Sequence, residues 1–316
     1  MGNKLASISS VYRLEKIVYL WCETPCFPGG EREVGAIDLR VQRDSLTKIP
    51  ILEGTTIKGA LRSYFKISNT LTNEIPYIFG DLTQAGNVIF SRAHILLFPV
   101  RAFVPPFLFV TSPQQINIWI QSLSDIKLKE AEDMQNNFRL TYGTLLKLGE
   151  NAGICSSKSL AEQEVILLDG EMTIKCEYSE NFESLISSIL NQALPRMGEN
   201  IWAGYEYIQD IIREDTILVP DGKFREIANK GLEVVIRIAL EYETKTVRRG
   251  ALFYQERIPR YTLFFAPLYI SVRASLKNEI NDAVNKFISQ LKNNLVINIG
   301  GDESTGKGRM RLVLWP

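Results

Sequence analysis

Residues 301–307 read GDESTGK, the G-x-x-x-x-G-K spacing with which a glycine-rich loop cradles nucleotide phosphates. That motif needs Ser or Thr next, to hold magnesium, and then a helix, but Gly308 follows and the remaining residues look like a strand. An NTPase is excluded on that context. Two readings stay open: a long glycine-rich hairpin loop, or a backbone cradle for polynucleotide phosphates with Lys307 and Arg309 as counter-charges. A second candidate is the pair Lys58 and Arg62, four residues apart near a predicted helix start. Cations there oppose the helix dipole at a cost of roughly a few tenths of a kcal/mol. An anion held by free backbone N–H groups and both side chains reverses the sign. A solvated polar face, or pairing with Glu53, accounts for them equally well.

The one histidine, His94, and four dispersed cysteines, Cys22, Cys26, Cys155 and Cys176, leave little for Ser-His-Asp or Cys-His catalysis, a zinc site or a disulfide framework. His94 sits in an apolar, strand-like run and reads as packed. Metal or carboxylate chemistry suits this inventory better.

Elements must position these groups, and the composition supplies them. Of 316 residues 45% are hydrophobic and 23% charged, enough for a sizeable core. Lys+Arg and Asp+Glu both number 36, so any polyanion site must be local. The apolar run 88–110 is broken by Arg92, His94, Arg101 and three prolines, which excludes a single bilayer helix. No secretory signal pattern opens the chain, and a soluble cytoplasmic protein is the expectation.

Residues 13–22 read as a strand, 23–35 as a turn-rich loop and 36–43, holding Asp38, as another strand. Thr55 or Thr56 is expected to cap a helix to about Lys66, with Ile57, Leu61 and Phe65 as its apolar stripe. Residues 88–100 read as a strand, and Ser112-Pro113-Gln114-Gln115 as a capping box opening a helix to about Leu123. Phe182, Leu185, Ile186, Ile189 and Leu190 mark a helix, and Pro220-Asp221-Gly222 a turn. Residues 234–242 and 251–254 form a predicted hairpin with a basic tip. A strand over 262–272, a helix carrying Ile280, Val284, Phe287, Ile288 and Leu291, and strands over 295–299 and 310–315 close the chain. The expected fold is one α+β domain over 1–316, a ferredoxin-like βαββαβ core with large insertions.

Four segments, IPILEGTTIKGALR (49–62), FSRAHILLFPVR (90–101) followed by VTSP (110–113), GALFYQERIPRYTLFF (250–265) and INIGGDESTGKGRMR (297–311), occur in an order that resembles the RAMP superfamily of CRISPR-associated proteins. The resemblance covers nearly the whole chain and is strongest to the repeated backbone subunit of the type III-B (Cmr) effector complex. It implies an RRM-like palm with helical insertions and a thumb β-hairpin, placed at about 234–257. It also implies copies stacked in a helical filament on guide crRNA beside other Cmr subunits, with single-stranded target RNA paired to the guide and no membrane partner.

In such subunits a loop aspartate is needed for metal-dependent cleavage of the target, in which a neighbouring 2′-hydroxyl attacks the phosphate and leaves a cyclic phosphate and a 5′-hydroxyl. The matching residue is Asp38. As the only carboxylate there, it would share a Mg or Mn ion with water and substrate phosphate. Glu256 is the candidate second acid. Arg43, Lys58, Arg62, Gly300, Gly301, Lys307 and Arg309 are the candidate RNA-binding residues, and Lys245, Arg248 and Arg249 belong to the thumb.

Two departures stand out. Phe27 occupies the loop position where relatives usually carry histidine, so proton transfer by imidazole is excluded there. Thr55-Thr56 replaces a common Ser-Ser and keeps the hydroxyls. The competing expectations are a non-catalytic architectural subunit and a nuclease that matures guides by itself.

Overall fold

Strand β1 (Tyr12–Cys22) alternates between two cores: Val18, Leu20 and Cys22 face one, Ile17, Tyr19 and Trp21 the other. A central strand covered on both sides requires this. The computed structural model describes residues 12–30, 37–126, 128, 130–162, 164–194, 205–241, 243–244, 246–271, 278–292 and 295–316. After β1 come α1 (Gly54–Ile67), α2 (Ile75–Phe79), β2 (Val88–Phe90), β3 (His94–Arg101), β4 (Phe107–Thr111), α3 (Pro113–Asp125) and α4 (Glu130–Leu148). The middle of the chain holds β5 (Ala152–Cys155), α5 (Lys158–Ala161), β6 (Glu164–Leu167), β7 (Met172–Tyr178), α6 (Glu180–Ala193), α7 (Glu206–Glu214), β8 (Thr216–Leu218) and α8 (Asp221–Lys230). It ends with β9 (Glu233–Leu240), β10 (Val247–Arg257), β11 (Leu263–Ser271), α9 (Asn278–Leu291), β12 (Val296–Asn298) and β13 (Arg309–Trp315).

Among the described residues, ten strands run in the order β12-β13-β1-β11-β3-β4-β8-β5-β7-β6, with β2 also paired to β11. β1 is antiparallel to both β11 and β13. The strands β9 and β10 form a separate two-stranded sheet. One core gathers α1, α2 and α9, where Phe287 makes edge-on contacts with Phe65, Phe79 and Phe90 at centroid distances of 5.7, 5.6 and 6.2 Å. The other gathers α3, α4, α6 and α7, and is threaded by a buried polar chain in which Trp119 Nε1 donates to Tyr19 Oη (2.8 Å) and that hydroxyl donates to Gln192 (2.7 Å). No helix among the described residues is long and apolar enough to cross a membrane.

The stripes on α1, α6 and α9 lie where the 3.6-residue period puts them. Several local expectations are corrected. Segment 37–43 is no regular strand: only Leu39 and Arg43 make bridges, to Gln255 and Pro50. The run 88–100 is two strands, parted at residues 91–93 where Ala93 pairs with Leu52. The cap of α1 is Glu53, whose carboxylate makes no capping bond and pairs with Arg92 instead (2.8 Å). Ser112 caps α3 without its hydroxyl finding a partner, because the Asp221 carboxylate takes the Gln114 N–H instead (2.9 Å). Pro220 is the cap of α8 rather than part of a turn, since Phe224, Ile227 and Ala228 supply a buried face behind it.

Candidate functional site

After β1 the chain is tied down by backbone pairing. Cys26 and Ile258 exchange both N–H···O bonds (2.9 and 2.8 Å), Gly308 donates to the Pro25 carbonyl (2.9 Å) and Gly301 to that of Phe27 (2.8 Å). Residues 31–36 lie outside the described part, and the chain then passes along the outer edge of β10. Leu39 donates to the Tyr254 carbonyl (3.0 Å) and accepts from the Glu256 N–H (2.9 Å). Asp38 precedes this contact. Its Oδ2 accepts from the Tyr254 backbone N–H at 2.9 Å, and the side chain stays partly open to solvent. Its other oxygen has no partner among the described residues.

Glu256 does not stand beside it as a second reactive acid. It is buried, 4% exposed, with Oε2 accepting from Val41 N–H (3.0 Å) and Oε1 from Arg43 (2.9 Å). Arg43 is equally committed. It also donates to Asn229 of α8 (2.7 Å) and to the Val41 carbonyl (2.9 Å), which removes it from the free RNA-binding cations. A buried carboxylate and a part-buried guanidinium already held by three partners are not free to take a substrate phosphate. Among the described residues no group of three or more His, Cys, Asp or Glu side chains could hold a metal ion.

Helix α1 separates two grooves. Thr55, Thr56, Gly59 and Ser63 line one of about 640 Å³, whose far wall includes Asn298, Gly300 and Arg309. The helix start and the glycine loop therefore share a surface. Lys58 and Arg62 lie on the other flank, in a groove of about 550 Å³ with Phe79, Leu82 and Ile89. Neither cation has an ion-pair partner among the described residues. Partial burial, and then the charge of Arg62, hold the Lys58 ammonium below its usual pKa. Asp81 lines the same groove but is turned to the Thr83 and Gln84 amides, so the flank carries two cations against one carboxylate.

The glycine loop is held by close packing. A Cβ at Gly300, which has φ +93°, would lie 2.1 Å from the Phe27 carbonyl oxygen, and one at Gly308 2.3 Å from that of Ile299. The amides of Gly301, Thr305, Gly306, Lys307 and Gly308 all donate to protein carbonyls, which, of the two readings, favours the glycine-rich hairpin loop over an open cradle at these positions. A 3₁₀ turn over Glu303–Thr305 leads into β13, in keeping with the exclusion of an NTPase. Lys307 is partly buried and near Glu233. Arg309 is 55% exposed but donates to Glu23 (2.6 Å), which also binds Arg311 and the Tyr205 hydroxyl. Burial raises the Glu23 pKa, and these donors more than offset it, leaving the carboxyl below its usual range.

The hairpin β9–β10 has its polarity turned inside out. Val234, Ile236, Ile238, Leu252 and Tyr254 face outward, between 38% and 61% exposed. On the inner face Arg237 and Arg257 converge on Asp302 of the glycine loop. None of the three expected thumb cations has a described side chain: Lys245 lies outside the described residues, as do the side chains of Arg248 and Arg249. Sequence reasoning missed Asp302, Glu23 and the Tyr254 amide, each joined to its partner across at least 45 residues with no local signal. His94 is packed as expected, 5.8 Å from the Phe265 ring, and burial ahead of the Arg92 charge lowers its pKa.

A family model described as the RAMP superfamily matches residues 20–311. The chain belongs to the RAMP superfamily. Its RAMP relatives include the CRISPR system Cmr endoribonuclease Cmr4 of Pyrococcus furiosus, 30% identical over 304 residues, or 94% of this chain and 95% of that one. The CRISPR system CMR subunit Cmr4 of Saccharolobus solfataricus is 23% identical over 87% of this chain and 88% of its own. Among solved RAMP structures, oligomeric Cmr4 from Pyrococcus furiosus superposes with a TM-score of 0.70 at 25% identity, over 95% of this chain and 98% of that one. A chain of the type III-B Cmr-beta complex bound to cognate target RNA shares the fold, with a TM-score of 0.71 at 21% identity over 96% of this chain and 98% of that one.

Proposed function

We propose that this chain is the backbone subunit of a type III-B Cmr ribonucleoprotein, binding guide crRNA and cutting the paired target RNA at regular intervals. The observation that carries the reading is near end-to-end similarity to a Cmr endoribonuclease. The strand order β13-β1-β11-β3, with α1 after β1 and α9 after β11, supports a ferredoxin-like palm, and the hairpin at 233–257 supports a thumb on the same single domain. Lys58 and Arg62 would hold guide phosphates, with Lys307 and Arg309 behind the glycine loop and Gly300 and Gly301 shaping it. The base sequence would be read by pairing rather than by side chains.

Asp38 is the catalytic candidate, because the family resemblance matches it to the loop aspartate and one of its oxygens has no partner among the described residues. A single carboxylate fits one inner contact to Mg or Mn and no closed cage, so such an ion would be shared with water and phosphate. Bound there it would offset charge on the phosphate under attack by the 2′-hydroxyl. Partners would be guide and target RNA, further copies of this chain and other Cmr subunits, in the cytoplasm.

The test is a reconstituted complex carrying Asp38→Ala. Periodic products should drop by at least about 10³-fold, a typical loss for a primary catalytic group, while guide and target still bind. Unchanged cutting by this variant would remove Asp38 from the mechanism. The architectural alternative is favoured by Phe27, whose ring packs on the core and whose carbonyl braces Gly301. Absence of products from the wild-type complex in Mg or Mn would select it. Processing of precursor guide by the isolated chain would select a maturation nuclease.

A further inference from the structure

We propose that Glu256 and Arg43 are positioning residues for Asp38, a role that rests on the reading of Asp38 as the catalytic acid. Segment 38–41 lies along β10 as a parallel strand reduced to one bridged residue, Leu39 opposite Gln255. A parallel ladder through this pair has a fixed pattern. Leu39 N–H donates to residue 254 and its carbonyl accepts from residue 256, and both bonds are present (3.0 and 2.9 Å). The next rung on each side should be main chain to main chain. Instead Tyr254 N–H donates to the Asp38 carboxylate (2.9 Å), and Val41 N–H to the Glu256 carboxylate (3.0 Å). Two acidic side chains terminate the same ladder from opposite ends and opposite strands.

Glu256 thus replaces a backbone rung. Its second oxygen is held by Arg43, which is itself fixed by the Asn229 amide oxygen of α8 (2.7 Å) and the Val41 carbonyl (2.9 Å). Arg43 closes a ring through Val41 and Glu256, so the segment cannot slide along β10 without breaking a largely buried ion pair. On the β10 side, this clamp and the single bridge at Leu39 set the height of Asp38, while the buried Val41 side chain and the Gln42–Ile51 bond hold the segment from behind.

The experiment uses the assembled complex with guide and saturating target, comparing single-turnover cleavage with target affinity. Glu256→Ala removes the rung, and a shift of about 1 Å at the acid is worth about 100-fold in rate, with Kd unchanged. Glu256→Gln keeps an oxygen for Val41 N–H and should recover most of that rate, a rescue that a loss of charge alone does not allow. Because Glu256→Ala leaves the largely buried Arg43 without its carboxylate, the double variant Arg43→Met, Glu256→Leu is the folded control. Apolar replacement of a buried pair is often tolerated, and this variant should show the same rate loss with normal assembly. Wild-type rates from Glu256→Ala or the double variant overturn the proposal, as does a rate loss matched by lost target binding. If Asp38→Ala itself still cuts, the underlying reading has failed instead.

Discussion

Gly300 lies so close to the Phe27 carbonyl that no side chain fits between the glycine loop and the loop after β1: a Cβ there would sit 2.1 Å from the oxygen. Gly300→Ala must therefore move one loop and also strain a backbone at φ +93°. A loss of about 1–3 kcal/mol is expected, read as a lower urea midpoint. Gly59 is the control. It faces open space within α1, so Gly59→Ala should raise stability by up to about 1 kcal/mol.

The Tyr254 N–H points away from β9, toward Asp38. Tyr254→Pro deletes that donor and spares the hairpin ladder, because an outward-facing N–H on an edge strand tolerates proline. Cleavage by the complex should fall about tenfold or more, the scale of one lost hydrogen bond to a charged group. Tyr254→Phe should cut normally. Equal rates for the two variants would show that the amide does not matter.

Lys58 and Arg62 repel each other and have no described carboxylate partner, so they are maintained at some expense to the fold. Replacing either with Gln should leave the thermal midpoint unchanged or slightly higher. Guide affinity should drop for all sequences alike, and the slope of log K against log salt should flatten by about 0.7 per cation on single-stranded RNA. An unaltered salt slope would place the phosphates elsewhere.

Acid should unfold the chain in two stages. His94 is held below its usual pKa by burial, so the unfolded chain takes up that proton first, and stability begins to decline below about pH 6.5. Glu23 and Asp302 are also held low: burial raises both, and their arginine and tyrosine donors outweigh it. Their contribution is complete above the unfolded carboxylate value, about pH 4, and is lost as pH falls through the lowered values. Urea midpoints taken from about pH 7 to about pH 3 should show a shallow and then a steep fall. Asp302→Asn should soften only the steep part.

What could be read directly was whatever obeys a short period. Ile57, Leu61 and Phe65 mark α1 because burial repeats along a helix regardless of its neighbours. The 19-residue α4 escaped notice because it buries only Ala131, Met134, Thr141 and Leu145, too sparse a stripe to register. The Pro-Asp-Gly at 220–222 carries the same residues as a turn, and only the packing of Phe224 against the sheet makes it a helix start. Asp38 and Lys58 were found through family resemblance and local charge. The Glu256 clamp was not, since a carboxylate bonded 213 residues away is invisible to any window along the chain.

The hydroxyl-lined flank and the cationic flank sit on opposite sides of a single helix start. A strand of nucleotides that engages both must step over α1, and a flexible backbone bends where it crosses such a ridge. Every protomer would impose one crossing, whatever the bases are. The pitch of the assembly would then be written in the spacing of these ridges, with the protein serving as the ruler and the nucleic acid as the tape.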